Sequence, residues 1–292
     1  MYYGVKGGSM SAEESIFSQK LSNREFELLK AFIHSSCGIK LSENKKNMVE
    51  GRLRKRIRAL GLTGYSEYLD YALSGDEGSA EKLHLIDVIT TNKTDFFREP
   101  NHFRLMSDRV LPFLSDKYGL GHSETLNVWS SASSTGEEPY TIAMVMAEYF
   151  GIDGNFTVYA TDINTSVLET GRRAVYTEEK SGDIPFDYKL KYMLRSKNRN
   201  DRLLRFKPEV RRKVRFGRNN LKDSKYILPV KVDIAFCRNV IIYFDAPTQE
   251  EILNRICSYI KPGGFLFMGH SESIHGMSLP IKSYAPTVYV KE

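Results

Sequence analysis

The sequence predicts an α/β protein: a mainly parallel sheet with helices on both faces, preceded by a small all-α domain. Three observations carry this reading. Residues from about Leu21 to Val88 place apolar side chains at helical spacing. Beyond them the pattern changes to short apolar strands alternating with helices. The first of those strands ends in a run of small residues that opens directly into a helix, Ser130 to Tyr140.

In the N-terminal part, Ser22-Asn-Arg-Glu25 has capping-box spacing, and Phe26, Leu29 and Ile33 follow on one helical face. Lys45 to Arg58 is a basic helical block. Val49, Leu53, Ile57 and Leu60 form its apolar stripe, so Arg54, Lys55 and Arg58 point away and Arg52 and Arg56 lie on the flanks. Gly61 stops this helix. Tyr65–Leu73 and Leu83–Ile89 read as further helices, with a turn at Gly75-Asp-Glu-Gly78 between them. The bundle is expected to span 20–88, behind a flexible tail of residues 1–19 that has no apolar signal core.

Strands are expected at Leu126–Trp129, Thr157–Ala160, Val214–Gly217, Val232–Cys237, Phe265–Met268 and Thr287–Val290. Helices are expected near Glu138–Phe150, Thr165–Arg173 and Thr248–Ile260, the last closed by Lys261-Pro-Gly-Gly264. Pro286 should start the final strand, which would pair antiparallel with the Phe265 strand and form the sheet edge. About forty residues separate the helix after Asp162 from the Val214 strand, too many for an ordinary loop. Arg202–Lys207 can form a short strand there and Ser196–Asp201 a turn. A small antiparallel insert is therefore expected at about 176–213.

The 292 residues carry a formal net charge of +6, concentrated in Lys45–Arg58 and Lys189–Arg218. Such patches suit nucleic acid, an acidic membrane surface or an acidic protein. No apolar run approaches ~18 residues, so no membrane span is expected. Cys37, Cys237 and Cys257 are scattered and read as reduced thiols of a cytoplasmic protein. The histidines include no His-x-x-x-His pair, and no metal site is expected.

The chemistry is concentrated where strands end. A strand, the small-residue loop Ser130–Gly136 and a helix start form the usual cradle for a nucleoside-type cofactor. Thr135 and Glu138 have capping-box spacing, and Pro139 fits a first helical turn. Asp162 ends the next strand, where a carboxylate holds ribose hydroxyls. Glu137 and Glu138 would repel a pyrophosphate. S-adenosylmethionine has no phosphate and carries a sulfonium and an ammonium, so it suits this acidic loop. Acids at a helix N-terminus are also favoured by the helix dipole alone.

Further polar segments lie at comparable positions. Asn92, Thr94 and Arg98 face either the cofactor or an interdomain contact. Asn219 and Asn220 follow a strand, where an amide reads an adenine edge or makes a plain turn. Arg238, Asn239 and Tyr243 follow another, at the carboxyl edge where open α/β sheets bind ligands. His270 is either a wall residue or a substrate contact. No Ser-His-Asp or Cys-His set is present.

Taken together, these segments resemble the CheR-type chemotaxis receptor methyltransferases. The matching pieces are Thr91-Asn-Lys-Thr-Asp-Phe-Phe-Arg-Glu99, Ser131-Ala-Ser-Ser-Thr-Gly-Glu-Glu-Pro-Tyr140, Ala160-Thr-Asp-Ile163, Phe236-Cys-Arg-Asn-Val-Ile-Ile-Tyr-Phe-Asp245 and Gly269-His-Ser-Glu272. The resemblance runs from about residue 20 to the C-terminus. It implies S-adenosylmethionine-dependent methylation of glutamate side chains on transmembrane chemoreceptors, giving γ-methyl esters for chemotactic adaptation and S-adenosylhomocysteine as product. It also implies a cytoplasmic enzyme, read here as a monomer, with a Rossmann-like methyltransferase domain over 89–292 and a small β-subdomain inserted in it.

Carried onto matching positions, the implied cofactor set is Asn92, Thr94, Arg98, Glu137, Asp162, Asn220, Leu221, Arg238 and Asn239. Arg98 and Tyr243 are placed nearest the chemistry. Arg98 would orient a carboxylate, either the cofactor's or the incoming glutamate's, and Tyr243 would line the methyl-transfer channel. A carboxylate is already a nucleophile, so the lack of a general base is no obstacle. Arg52, Arg54, Lys55, Arg56 and Arg58 are candidates for docking on the acidic coiled-coil region of the receptors; the alternative is a solvated charged face. The insert departs from family members that bind a receptor's C-terminal pentapeptide, because Ser196–Asp201 contains no glycine. A tether-independent enzyme is therefore expected. A nucleic-acid methyltransferase of the same fold is the main rival reading; a cofactor-binding regulatory module without activity is the second, and retention of both Arg98 and Tyr243 argues against it. The chain has no Asn-Pro-Pro-Tyr or Asp-Pro-Pro-Tyr motif and no aromatic-basic interleaving, so no nucleic-acid partner is expected.

Overall fold

The computed structural model describes residues 19–74 and 80–292. Of the expected tail only Gln19 falls within them, and the turn at Gly75–Gly78 lies outside. The chain divides into two compact units, Met1–Thr90 and Thr91–Glu292.

The first unit contains α1 (Asn23–Cys37), a 3-10 turn Glu43–Lys45, α2 (Lys46–Ala59), α3 (Tyr65–Ser74) and α4 (Ala80–Ile89). The reciprocal capping box at Ser22 is formed: Glu25 N–H donates to Ser22 Oγ at 3.2 Å and Ser22 N–H to Glu25 Oε2 at 2.7 Å. Such a cap is worth about 1 kcal/mol. Phe26, Leu29 and Ile33 are buried, and so is Cys37, the next residue on that face. In α2, Val49, Leu53 and Ile57 are buried, whereas Leu60 is half-buried at the helix end. Gly61 adopts φ +69° and closes α2. Leu62 N–H reaches Ile57 O at 3.1 Å and Gly61 N–H reaches Arg58 O at 3.0 Å, the paired bonds of a Schellman ending.

The second unit opens with α5 (Pro100–Leu105), a π turn (Met106–Val110) and α6 (Leu111–Tyr118). Then follow β1 (Leu126–Ser130), α7 (Glu137–Phe150), β2 (Phe156–Asp162), α8 (Thr165–Arg173), β3 (Val175–Thr177), α9 (Phe186–Tyr192), β4 (Met193–Arg195), β5 (Leu203–Phe206), α10 (Pro208–Lys213) and β6 (Val214–Arg218). The unit ends with β7 (Val232–Cys237), α11 (Ala246–Tyr259), β8 (Ile260–Met268), β9 (Ile281–Ala285) and β10 (Val288–Lys291). The main sheet has the order β6-β2-β1-β7-β8-β10-β9. Its first five members pair in parallel, and β10 runs antiparallel to β8 and β9. Phe236 and Phe267 stack across β7 and β8 with ring centroids 4.5 Å apart, both fully buried. Burying such a ring contributes about 1.5–3 kcal/mol.

The insert forms its own antiparallel sheet, β3-β5-β4, as expected. Phe206 at the end of β5 stacks on Tyr140 of α7 at 4.3 Å, which fastens the insert to the main sheet's helix layer.

Two expectations need correction. The last strand pairs antiparallel with β8 as expected, but β9, not β10, is the edge. Pro286 does not start β10; it sits with Thr287 (φ +58°) in the turn between β9 and β10. Lys261–Gly264 is also more than a helix stop. It lies within β8, at a register shift opposite Val232–Ile234 where Gly263 takes φ +77°.

Candidate functional site

The carboxyl ends of β1, β2, β6, β7 and β8 gather most of the predicted residues on one edge of the sheet. β1 lies between β2 and β7, so the winding of the sheet reverses beside it. That switch point is where open α/β sheets bind ligands.

The loop after β1 is built differently from the capping box read in the sequence. Gly136, not Thr135, precedes α7, with φ +101°. A Cβ there would lie 2.8 Å from Tyr176 Oη and 3.1 Å from Gly171 Cα, so only glycine fits. Thr135 Oγ1 donates to Glu137 Oε2 at 2.6 Å instead, and Ser130 Oγ donates to Glu138 Oε1 at 2.7 Å. Glu137 is 1% exposed. Burial pushes its carboxyl up, partly offset by Thr135 and by Lys180 at 3.6 Å.

Asp162 pins this loop to β2. Its Oδ2 accepts from Ser134 N–H and its Oδ1 from Asn164 N–H, both at 2.9 Å. Ser134 Oγ donates to Asn92 O at 2.9 Å, which brings Asn92 to the same loop. Thr94 is tied to the insert, because Lys180 Nζ donates to its carbonyl and pairs with Asp95 at 2.9 Å. Asn220 and Leu221 are buried just past β6, where Asn220 Oδ1 accepts from Lys222 N–H at 3.0 Å.

The donor set fits S-adenosylmethionine. Glu137 offers a buried carboxylate to a sulfonium or ammonium, with Lys180 of the insert 3.6 Å away and no cation in its own loop. Ser133 Oγ, in the loop, and Asn219 Nδ2, past β6, are buried polar atoms without a protein partner. A nucleoside presents hydroxyls and ring nitrogens that satisfy such groups.

Arg238 and Glu99 organise the other half of the edge. The Arg238 side chain is 2% exposed and donates to Glu138 Oε2 and Glu99 Oε2, each at 3.0 Å. It also donates to the carbonyl of Arg98. Its guanidinium is thus committed inside the protein, a role the sequence did not reveal. Glu99 Oε1 accepts from Asn239 Nδ2 at 3.2 Å and from His270 N–H at 3.3 Å. Burial alone would raise the Glu99 carboxyl; Arg238 and Asn239 bring it below the usual range. Glu138 is held up by burial, only partly countered by Arg238.

Arg98 is half-buried and donates to Lys93 O at 3.1 Å. Phe97 and Glu99 on either side both take left-handed backbone, φ +53° and +57°. Such backbone in non-glycine residues stores strain where a loop must be held in place. Tyr243 is half-buried in the 3-10 turn Ile241–Tyr243. Glu272 braces that turn: Oε1 accepts from Val240 N–H at 2.8 Å and Ile241 N–H at 2.9 Å, and Oε2 from Gly269 N–H at 2.6 Å.

His270 is half exposed, with its ring 5.0 Å from that of buried His102. His102 Nε2 meets Thr287 Oγ1 at 2.7 Å, and burial, then Arg238, lowers this imidazole to about 4. Glu99, His102 and His270 could offer ligand atoms to a metal ion. Arg238, however, already supplies the cation beside Glu99.

The five candidate docking residues of α2 separate into groups. Arg52 Nη1 donates to the carbonyls of Val88, Ile89 and Thr90 at 3.1, 3.1 and 2.8 Å, closing the end of α4. Arg56 pairs with buried Glu81 at 2.6 Å. Arg54 pairs with Glu50 at 2.7 Å. Lys55 and Arg58 are exposed. Among the described residues, no helix is long and apolar enough to cross a membrane.

Comparison with known proteins finds relatives of both units. Residues 92–290 match the family described as CheR methyltransferase, SAM binding domain, and residues 24–90 match CheR methyltransferase, all-alpha domain. The chemotaxis protein methyltransferase of Escherichia coli (strain K12) is 38% identical over 270 residues, 92% of this chain and 91% of that protein. That of Borreliella burgdorferi is 34% identical over 287 residues, 97% of this chain and 100% of that protein. Chemotaxis protein methyltransferase 2 of Pseudomonas aeruginosa is 35% identical over 269 residues, 92% and 93% of the two chains.

Proposed function

Since the chain belongs to the CheR methyltransferase family, we propose that it uses S-adenosylmethionine to methylate glutamate side chains of chemoreceptors, forming γ-methyl esters. The observation that carries this reading is Glu137, a carboxylate 1% exposed at the first residue of α7, in a loop made for close ligand approach. It suits a cationic, phosphate-free nucleoside.

Bound S-adenosylmethionine supplies a methyl group on a sulfonium, open to direct attack. The acceptor carboxylate is already ionised at neutral pH. The chain therefore has to hold, align and dehydrate the reactants rather than move a proton. Glu137 holds the cationic end and Asp162 the ribose side. Asn220 and Leu221 flank the adenine, with Asn92 and Thr94 supporting the loop from the 91–99 segment. Arg98 orients a carboxylate, and Tyr243 lines the path of transfer. Arg238 and Asn239 belong to the same edge, with Arg238 acting through Glu99 and Glu138.

In this reading residues 89–292 form the catalytic domain, with the insert at about 176–213. The helical domain, 20–88, recognises the acidic coiled-coil region of the receptor through the exposed basic residues of α2. The enzyme works as a cytoplasmic monomer without a pentapeptide tether.

The test is mass-spectrometric mapping of receptor peptides after incubation with S-adenosylmethionine and receptor-containing membranes. Methyl groups confined to glutamate side chains support the proposal. Methylated lysine, arginine or nucleic acid would replace the acceptor while leaving the cofactor.

A further inference from the structure

The insert carries two features that methyl transfer does not use. The first is charge. Residues 175–213 hold twelve Lys and Arg against six Asp and Glu, a formal surplus of six that equals the +6 of the whole chain. The second is exposed apolar surface. Phe186 and Leu190 lie one turn apart on α9 and are 71% and 63% exposed, and Leu194 on β4 is 50% exposed.

These side chains are not the packing face of α9. Tyr192 is buried and Tyr188 half-buried on the opposite side, and Tyr192 Oη donates to Glu148 Oε1 at 2.6 Å. The helix is therefore apolar on two faces, and one of them has no cover among the described residues. Cations surround the uncovered face. Lys207 Nζ donates to Leu190 O at 3.2 Å and Lys191 O at 2.6 Å, which places its ammonium beside Leu190. Arg205 lies directly opposite Leu194 across the β4–β5 pair. Lys189 lies on the flank of α9 and reaches Gly182 O at 3.3 Å. Asp187 is the one acid in α9.

We propose that this face docks the protein on an anionic lipid bilayer. Phe186, Leu190 and Leu194 enter the boundary between headgroups and acyl chains, and Lys189, Arg205 and Lys207 meet lipid phosphates. Projecting Phe and Leu side chains ringed by Lys and Arg have the composition of an interfacial anchor. Apolar side chains exposed by half or more, together with the insert's cationic surplus, suit a bilayer as the occupant. The docking is peripheral, because α9 is only seven residues long. The inference does not depend on which group accepts the methyl.

The test is co-sedimentation of the full chain with phosphatidylcholine vesicles, with and without phosphatidylglycerol. Binding is expected only to the anionic vesicles, and to weaken with salt. The double substitution Phe186→Ser and Leu190→Ser should weaken it at least about tenfold, with S-adenosylmethionine binding and circular dichroism unchanged. Failure of the wild-type chain to sediment would overturn the proposal. So would equal sedimentation of the double variant, which would mean charge alone is responsible. Weakened binding to a lipid-free acidic receptor fragment, with vesicle binding intact, would reassign the face to a protein partner.

Discussion

Arg238 Nη1 donates to Glu138 Oε2 at 3.0 Å, tying the end of β7 to the first turn of α7. The same guanidinium reaches Glu99, so one buried cation holds three segments of the carboxyl edge together. Losing a buried partner of this kind costs about 3–5 kcal/mol, because the carboxylates left behind are unpaired. Arg238→Met should lower unfolding free energy in urea by that amount and weaken S-adenosylmethionine binding as well. Glu138→Gln keeps the Glu99 contact and should cost less. Equal stability of Arg238→Met and wild type would remove the organising role.

Glu272 makes a separable prediction. Its carboxylate accepts three backbone N–H groups and so braces the turn that carries Tyr243. Glu272→Ala should lower kcat for methylation far more than it changes cofactor affinity by calorimetry. Glu272→Gln retains one acceptor oxygen and should be milder. A parallel loss of cofactor affinity and kcat would mean that the residue supports the whole edge rather than the turn.

His102 gives the protein an acid-side weakness. Its imidazole is lowered from 6.5 to about 4, with burial as the main cause. Between those values the unfolded chain binds more protons than the folded one. The stabilisation is therefore complete above about pH 6.5 and lost as pH falls towards 4. The loss from this one group is roughly 3 kcal/mol. His102→Asn should flatten the fall in urea midpoint between neutral and acid pH. An unchanged slope would show that other groups govern it.

The basic residues of α2 should divide by role. Reversing Lys55 and Arg58 to Glu should slow receptor methylation at low salt and leave cofactor affinity and thermal stability intact. Arg56→Ala strands Glu81, whose side chain is 8% exposed, and should destabilise the helical unit by about 3–5 kcal/mol. Identical behaviour of both variants would contradict the division.

The sequence resolved most where local pattern and burial agree. β7 and α8 lie at the residues predicted, Val232–Cys237 and Thr165–Arg173. β7 is buried throughout, and α8 has a side-chain cap from Asn164. β9 was missed because Ile281-Lys-Ser-Tyr-Ala285 is half polar and half exposed, as an edge strand tolerates. The Gly136 cap was misread because Thr135 has a suitable side chain, and only the close approach of Tyr176 shows why glycine precedes the helix.

The candidate site was legible as motifs but not as a network. Arg238 stands 139 residues from Glu99 and 100 from Glu138. No local spacing rule links such residues, and the fold alone makes them partners. The helical wheel likewise placed Arg52 and Arg56 on the flanks of α2. It could not show that the end of α4 and buried Glu81 occupy those flanks.

The most direct measurement is transfer of labelled methyl from S-adenosylmethionine to receptor-containing membranes, followed by mild alkali. Release of volatile labelled methanol is the predicted result, because only a carboxyl methyl ester hydrolyses that way. Label that stays bound to protein or nucleic acid through the alkali step would contradict the account.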